Sequence, residues 1–328
     1  MNARLLPAVC LILAGGWLAA APAEPELRGA IQAHDPSSVV RCGDLHWFFS
    51  TGPGVKSHCS RDLVEWKPGP PVVAGLPAWA REAVPKARPY FWAPDVIKVG
   101  GRFLLYYSVS TFGSQVSAIG LAVSDTLEPR DGRVAWRDEG IVVRSRQGDD
   151  FNAIDPSAFL DEDGRLWLAF GSFWSGIKLV ELDPRSGRRR APEVAPVALA
   201  MAKEIEAPYL CRRGDFYYLF VNWGLCCRGL QSTYEIRVGR SRKVTGPYLD
   251  RAGTDLQAGG GTLVLGSDGR RIGPGHASRV ATPRGERLAC HFYDAENRGR
   301  ATLALVPLEW TADGWPVCRK EAAPAPGR

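Results

Sequence analysis

The sequence predicts an all-β protein that forms a single-domain five-bladed β-propeller. Strand-like runs rich in aromatic and β-branched residues recur five times, and a glycine-containing turn precedes each run. No segment of helical periodicity and useful length separates the runs. A repeat of about 50 to 70 residues with several strands per unit is typical of propeller blades. With 45% hydrophobic residues, the 328-residue chain can bury a real core, which excludes a disordered protein.

The N-terminal segment predicts export. Arg4 precedes an apolar run from Leu5 to Ala21, and small residues continue to Ala23. These features are typical of a secretory signal peptide over residues 1–23 with cleavage near Ala23, which leaves residues 24–328 as the propeller. We therefore expect a secreted or periplasmic protein. No other stretch approaches the roughly 18 apolar residues that a membrane-spanning helix needs, so we expect no membrane association.

The charge balance is only mildly basic. Lys and Arg number 41 against 35 Asp and Glu, a formal net charge of +6. The densest basic run, residues 188–190, follows a turn-rich stretch and indicates a solvated loop. The sequence contains no phosphate-binding glycine motif and no basic nucleic-acid module. We expect a monomer without a nucleic-acid partner.

Seven cysteines remain after the predicted cleavage, and some are expected to pair in an oxidising compartment. Cys42 and Cys59 flank an apparent hairpin and are candidates for a disulfide. The adjacent Cys226 and Cys227 are expected to be packing or disulfide partners rather than nucleophiles. No pair has the spacing of a zinc or redox CxxC site.

The five runs begin at residues 45, 103, 166, 216 and 288, with spacings of 58, 63, 50 and 72 residues. A second strand-like stretch follows each run, as in a hairpin. Each run is preceded by a short motif, and we expect the motif at the start of the innermost strand of its blade, pointing into the central channel. The motifs are His34-Asp35-Pro36-Ser37, Trp92-Ala93-Pro94-Asp95, Ile154-Asp155-Pro156-Ser157, Glu206-Ala207-Pro208-Tyr209 and Gly275-His276-Ala277-Ser278.

The motifs bring carboxylates from separate blades to one end of the channel. Asp35, Asp155 and Glu206 are the candidates, joined by His276. A single Asp-Pro usually marks a turn, but recurrence at equivalent positions favours a site. Glycoside hydrolysis requires such groups, because one acid protonates the departing oxygen while another carboxylate activates water or attacks the anomeric carbon. Aligning the prolines places Asp95 with serines of other motifs, so we expect a structural role for it.

These motifs, together with longer segments around them, resemble glycoside hydrolase family 43 and, within it, the endo-α-1,5-L-arabinanases. The additional segments are Tyr-Phe-Trp-Ala-Pro-Asp at 90–95, Asn-Ala-Ile-Asp-Pro-Ser at 152–157, Gly-Ser-Phe-Trp at 171–174, and Cys-Cys-Arg-Gly with Ser-Thr-Tyr at 226–234. The resemblance spans essentially the whole mature chain. It implies that Asp35 is the general base of an inverting hydrolase, that Glu206 is the general acid, and that Asp155 tunes and orients the acid.

The resemblance also implies a set of substrate-binding residues. They are Asp35, Trp92, Phe112, Gly113, Asn152, Ala153, Ile154, Asp155, Ser172, Phe173 and Trp174. Aromatic faces suit the C–H groups of a furanose ring. Packing inside a blade is an equal alternative for Phe91 and Phe112, and a weaker one for Trp92 and Trp174.

His276 resembles a histidine that ligates a metal ion, usually taken as calcium, with waters completing the shell. Chemistry alone would not predict this, since calcium prefers oxygen ligands, and a satisfied core histidine is the alternative. His34, beside the base, is expected to orient it through a hydrogen bond. His46, His58 and His291 carry no clear signal.

Three functions agree with the sequence. The first is an endo-acting arabinanase that cuts the α-1,5-linked arabinan side chains of pectin. The second is an exo-acting relative, either an α-L-arabinofuranosidase or a β-xylosidase. The third is a noncatalytic carbohydrate-binding propeller, which is disfavoured because binding alone would not need three mutually repelling carboxylates.

Overall fold

The computed structural model describes residues 25–318, so the predicted signal peptide and its cleavage site lie outside the described residues. Five sheets follow one another along the chain, and their arrangement confirms the predicted five-bladed propeller. The described residues contain one α-helix, α1 (Ala78–Ala83), which lies between the first two blades. Short 3-10 turns occupy Gly229–Gln231, Leu256–Ala258 and Ala295–Asn297. No described helix is long and apolar enough to cross a membrane.

Each blade is an almost entirely antiparallel sheet. In spatial order, blade 1 contains β1 (Arg28–Gly29), β6 (Glu65–Pro68), β5 (Lys56–Ser60), β3 (Leu45–Ser50) and β2 (Val40–Cys42). Blade 2 contains β10 (Arg137–Ser145), β9 (Ser117–Ser124), β8 (Arg102–Val109), β7 (Tyr90–Val99) and β4 (Gly52–Pro53). Blade 3 contains β11 (Ser157–Leu160), β12 (Leu166–Phe170), β13 (Ile177–Leu182) and β14 (Val197–Ala200). Blade 4 contains β15 (Ile205–Arg213), β16 (Phe216–Trp223), β17 (Glu235–Ser241) and β18 (Thr262–Leu265), and blade 5 contains β19 (Arg271–Thr282), β20 (Gly285–Asp294), β21 (Arg300–Trp310) and β22 (Pro316–Cys318).

The core is divided among the blade interfaces. Buried apolar side chains form five clusters. One cluster lies between each pair of neighbouring blades, including the pair formed by blades 5 and 1. The inner strands β2, β7, β11, β15 and β19 contact one another in sequence around the axis. Side chains alternate between the two faces of a strand, so each middle strand contributes apolar side chains to the clusters on both sides of its blade. Runs such as Phe103–Tyr107 are therefore apolar at every position.

Among the described residues, blades 5 and 1 close the ring through side-chain packing, several side-chain hydrogen bonds and one backbone–backbone hydrogen bond, without an exchanged strand. The first strand, β1, pairs with β6 of its own blade. Blade 5 meets blade 1 through a cluster that includes Phe48, Trp66 and Leu303, and the Leu303 N–H donates to the Ile31 carbonyl at 2.8 Å.

The predicted pairing of Cys42 with Cys59 is wrong. Cys42 lies on β2 and Cys59 on β5, and both strands pair with β3, which lies between them. Two strand spacings amount to roughly 9.6 Å, beyond the reach of a disulfide. All seven cysteines of residues 25–318 are free thiols.

Candidate active site

One residue in each motif has a left-handed backbone. The φ angle is 51° at Asp35, 40° at Ala93, 57° at Asp155, 52° at Ala207 and 61° at His276. In blades 2, 4 and 5 the register of the inner strand shifts at the same point, which is a β-bulge. A non-glycine residue in this region costs about 1 to 3 kcal/mol, and bulges redirect side chains. The recurring strain therefore marks five equivalent positions that aim groups at the axis, and Glu206 lies one position before its strained neighbour.

Asp35 is held by groups from two blades. Its Oδ2 lies 2.7 Å from His34 Nδ1 and accepts a 2.6 Å hydrogen bond from the Thr51 hydroxyl. Its backbone N–H donates to His291 Nδ1 at 3.1 Å, and its Oδ1 lies 3.6 Å from His276 Nδ1. Burial would raise the pKa of Asp35, but the charge of His34 and the bond to it outweigh burial and hold the pKa well below its usual range. Asp35 is therefore an ionised carboxylate.

His34 carries the balancing charge. Burial would lower the pKa of His34, but the charge of Asp35 and the hydrogen bond to it raise that pKa to about 10. Its Nε2 lies 2.8 Å from the Tyr293 hydroxyl, and its ring stacks on His291 with centroids 4.2 Å apart. Burial, followed by the charge of His34, lowers the pKa of His291 well below its usual value. The expectation that His34 orients the base agrees with these contacts.

Glu206 and Asp155 form a second, protonated centre. Burial raises the pKa of Glu206 to about 7, and the Asp35 charge adds to this increase, whereas a 2.7 Å hydrogen bond from the Ser172 hydroxyl to Oε2 acts against it. Burial and then the charge of Glu206 raise the pKa of Asp155. The Ala207 N–H donates to Asp155 Oδ2 at 3.1 Å, so Asp155 is tied to the backbone beside Glu206. The two carboxyls together retain a proton near neutral pH.

The structure thus separates an ionised carboxylate from a protonated carboxyl pair. Asp35, Asp155 and Glu206 come from blades 1, 3 and 4, and the charge of Asp35 acts on both of the others. Groups whose surroundings separate their pKa values in this way can divide the work of acid and base.

The aromatic candidates differ in exposure. Trp174 and Phe112 expose 39% and 84% of their surface, and Trp92 is half-buried. Phe91 is fully buried and packs edge-on against Tyr107 with centroids 5.1 Å apart. Of the two alternatives for Phe91, the structure therefore supports packing, because no face of the ring reaches solvent.

The remaining predicted substrate residues lie in the loops beside the carboxylates. Asn152 is buried and its Oδ1 accepts from the Ser117 hydroxyl at 2.7 Å, while the N–H of the buried Ala153 donates to the Ser145 hydroxyl at 2.9 Å. Ile154 is buried just before Asp155. Loop geometry places the other three. Gly113 and Phe173 have left-handed backbones with φ of 74° and 53°, and the Phe173 N–H donates to the Ile205 carbonyl. The Ser172 hydroxyl donates to Glu206.

Asp95 has the predicted structural role. It is buried, its Oδ1 accepts from the Ser38 N–H at 2.9 Å, and its Oδ2 accepts from the Ala158 N–H at 2.8 Å. One carboxylate thereby joins the inner strands of three consecutive blades, and burial raises its pKa to about 6.

His276 fits a cation that is bound mainly through water. Its backbone N–H donates to Asn222 Oδ1 at 2.9 Å, which fixes the residue, and its ring Nδ1 faces Asp35. Within residues 25–318 no protein atom hydrogen-bonds its Nε2, which leaves that nitrogen for a ligand. Calcium takes six to eight oxygens, so with one imidazole the rest of the shell would be water, while Asp35 supplies nearby negative charge.

Sequence reasoning missed three groups at this site. His291 and Tyr293 lie within β20, and Thr51 is the single residue between β3 and β4, so none of the three belongs to a recurring motif. Thr51 also accepts from the Ala93 N–H at 2.8 Å and so bridges the motifs of blades 1 and 2.

Comparison with known proteins places this geometry in context. The sequence profile of glycosyl hydrolases family 43 matches residues 29–316. The chain is 41% identical to the extracellular exo-α-(1→5)-L-arabinofuranosidase ArbA of Cellvibrio japonicus, over 87% of this chain and 86% of the relative. It is 39% identical to the extracellular endo-α-(1→5)-L-arabinanase 1 of Bacillus subtilis, over 93% and 94%. The structure of Cellvibrio cellulosa α-L-arabinanase complexed with arabinohexaose superimposes with a TM-score of 0.82 at 40% identity, covering 88% of this chain and 96% of that one.

Proposed function

Because the chain belongs to glycoside hydrolase family 43, we propose that it cleaves internal α-1,5-L-arabinofuranosidic bonds of arabinan with inversion at the anomeric carbon. The observation that carries the proposal is the separation of an ionised Asp35 from the protonated pair of Glu206 and Asp155. The endo-arabinanase of Bacillus subtilis and the arabinohexaose complex of the Cellvibrio enzyme support the substrate class.

Each carboxylate then has one task. Asp35 accepts a proton from the attacking water, and the imidazolium of His34 and the Thr51 hydroxyl keep it in place for that transfer. Glu206 donates its proton to the departing glycosidic oxygen, and the Ser172 hydroxyl holds its Oε2. Asp155 stays fixed on the Ala207 N–H beside Glu206, and it lies close enough for the charge of Glu206 to raise the pKa of Asp155, so the pair keeps a proton to donate.

The exposed aromatic rings supply the sugar-binding surface. Trp174 is adjacent to the Ser172 loop, so its exposed face lies one short turn away from the acid. Phe112 and Gly113 occupy the loop after β8, on the blade between Asp35 and Asp155. A furanose ring can place its C–H groups on such faces.

The exo-acting alternative keeps one specific observation in its favour, the 41% identity to the Cellvibrio exo-enzyme. Digestion of linear arabinan, with viscosity and reducing ends measured together, separates the two. Endo-cleavage lowers the viscosity steeply after only a few bonds have been cut, and it gives a ladder of oligosaccharides. Exo-cleavage releases short products and leaves the viscosity nearly unchanged. Glu206→Gln is the control, and turnover retained by that variant would contradict the assignment of the acid.

We also propose that His276 Nε2 ligates calcium and that the protein is exported after cleavage near Ala23. A bound cation would place positive charge near Asp35, from which His276 Nδ1 is 3.6 Å away. Elemental analysis of dialysed wild type and His276→Gln tests the first proposal, and equal calcium content in both proteins would refute it. The extracellular names of both relatives support export. N-terminal sequencing of protein recovered from the periplasm or the medium tests the cleavage site.

A further inference from the structure

Two adjacent thiols lie near His34, the imidazole that holds Asp35, and the proposed hydrolysis does not use them. Cys226 and Cys227 follow β16, and the partly buried Cys226 precedes an exposed Cys227. Cys227 has a left-handed backbone with φ 63°, and its N–H donates to the Tyr293 hydroxyl at 2.7 Å. This turn directs its Sγ to within 3.8 Å of His34 Nε2.

The three groups have the spacing of metal ligands. The two Sγ atoms and one ring nitrogen of His34 all lie within 4.8 Å of one another. A tetrahedral zinc ion has Zn–S bonds of about 2.3 Å and Zn–N bonds of about 2.0 to 2.1 Å, which puts sulfur and nitrogen ligands roughly 3.6 Å apart. The 3.8 Å between Cys227 Sγ and His34 Nε2 is close to that value.

A second observation points the same way. Histidines that bind metals through one ring nitrogen almost always donate the other N–H to a carboxylate or carbonyl, which fixes the ring. His34 already has this arrangement, with Nδ1 on Asp35 Oδ2 at 2.7 Å and Nε2 facing the thiol.

We propose that Cys226 Sγ, Cys227 Sγ and His34 Nε2 form a site for a thiophilic transition-metal cation of the zinc type, whose occupancy inhibits the enzyme. Thiolates and imidazole select such ions over calcium or magnesium. Binding displaces to solvent the protons that the thiols and His34 Nε2 carry, with no change of oxidation state. The Tyr293 hydroxyl gives up its 2.8 Å bond to His34 Nε2, and the ion then occupies the imidazole whose other nitrogen holds Asp35 Oδ2 at 2.7 Å, which disturbs the residue that orients the base.

Cobalt provides a direct readout, because thiolate-to-cobalt charge transfer appears only when sulfur ligates the ion. Fully reduced, metal-free wild type is titrated with Co²⁺ and then displaced with Zn²⁺. We expect one equivalent with sulfur charge-transfer bands. The bands should be about half as intense in Cys226→Ser and in Cys227→Ser, absent in the double variant, and unchanged in Cys59→Ser, which removes a partly buried thiol on β5. The apparent affinity should fall at least about tenfold in each of the first two variants.

Activity gives an independent measurement. Zn²⁺ should inhibit wild type and Cys59→Ser at the concentrations that displace cobalt, and Mg²⁺ should not inhibit. Cys227→Ser, compared with and without Zn²⁺, should lose that sensitivity. Cobalt binding without sulfur bands, or bands of full intensity in both single serine variants, would overturn the site. The spectra do not depend on the substrate, so they test the site even if the proposed arabinan specificity fails.

Discussion

The hydrogen bond from Ser172 to Glu206 predicts where the alkaline limb of activity lies. In the proposed mechanism Glu206 acts as an acid only while it is protonated. Burial raises its pKa to about 7, whereas the 2.7 Å bond from Ser172 favours the charged form. Ser172→Ala removes that bond and leaves the effect of burial unopposed. Hydrogen bonds to charged groups contribute about 1.5 to 3 kcal/mol, and the protonated carboxyl retains part of this. A remainder of about 1.4 kcal/mol raises the pKa by about one unit.

The assay is kcat/KM on a short arabinan oligosaccharide between pH 4 and 10, which reports the ionisations of the free enzyme. We expect the alkaline limb of Ser172→Ala about one pH unit above that of wild type. Ser57→Ala is the matched control, because Ser57 is also buried but its hydroxyl donates to the Pro70 carbonyl in blade 1. An alkaline limb that stays in place, or moves to lower pH, would show that the limb does not belong to Glu206.

Three further predictions concern the neighbouring groups. In Glu206→Gln turnover should be lost while stability rises at high pH. The folded-state pKa of about 7 lies above the ordinary 4.5, so wild type loses stability as pH rises between these values, and the variant should gain about 3 kcal/mol in chemical denaturation at pH 8 but nothing near pH 4. Equal stability at pH 8 would refute the burial argument. Thr51→Val removes the bond to Asp35 and should lower kcat/KM about tenfold, whereas Thr51→Ser keeps the hydroxyl and should retain most of the wild-type kcat/KM. An equal loss of kcat/KM in both variants would mean that the methyl group matters rather than the hydroxyl. Trp174→Ala should raise KM about fivefold and leave stability unchanged, because the ring is exposed. Phe91→Ala should lower the unfolding free energy by about 3 kcal/mol, because that ring is fully buried. Steady-state kinetics and calorimetry on both variants measure these effects, and the reverse assignment would contradict the exposures in the structure.

The repeating features of the chain were predictable because they recur. The blade pattern and the motif carboxylates appear several times at equivalent positions, and Asp95 could be separated from the catalytic candidates by aligning the prolines. Phe91 remained undecided because a bulge after Trp92 changes the alternation of inward and outward side chains along β7, and sequence alone does not locate a bulge.

Contacts between distant blades were not predictable in the same way. His291 reaches the backbone of Asp35 across 256 positions, because blade 5 is the neighbour of blade 1 in the closed ring. Its place in a strand gave no sign of this. The cysteine pairing failed for a related reason, since proximity along the chain concealed the strand that separates Cys42 from Cys59.

The contacts that join blades 5 and 1 have a consequence for when the enzyme becomes active during its synthesis. Blade 1 supplies Asp35, the proposed base. The imidazoles that fix its backbone and face its carboxylate, His291 and His276, belong to the last blade. A growing chain that has completed four blades therefore contains Asp35, Asp155 and Glu206 without the partners of Asp35 from blade 5. We therefore expect catalytic competence only after blade 5 has docked on blade 1 and the Leu303 N–H has met the Ile31 carbonyl, which would make the active site one of the last parts of the molecule to form.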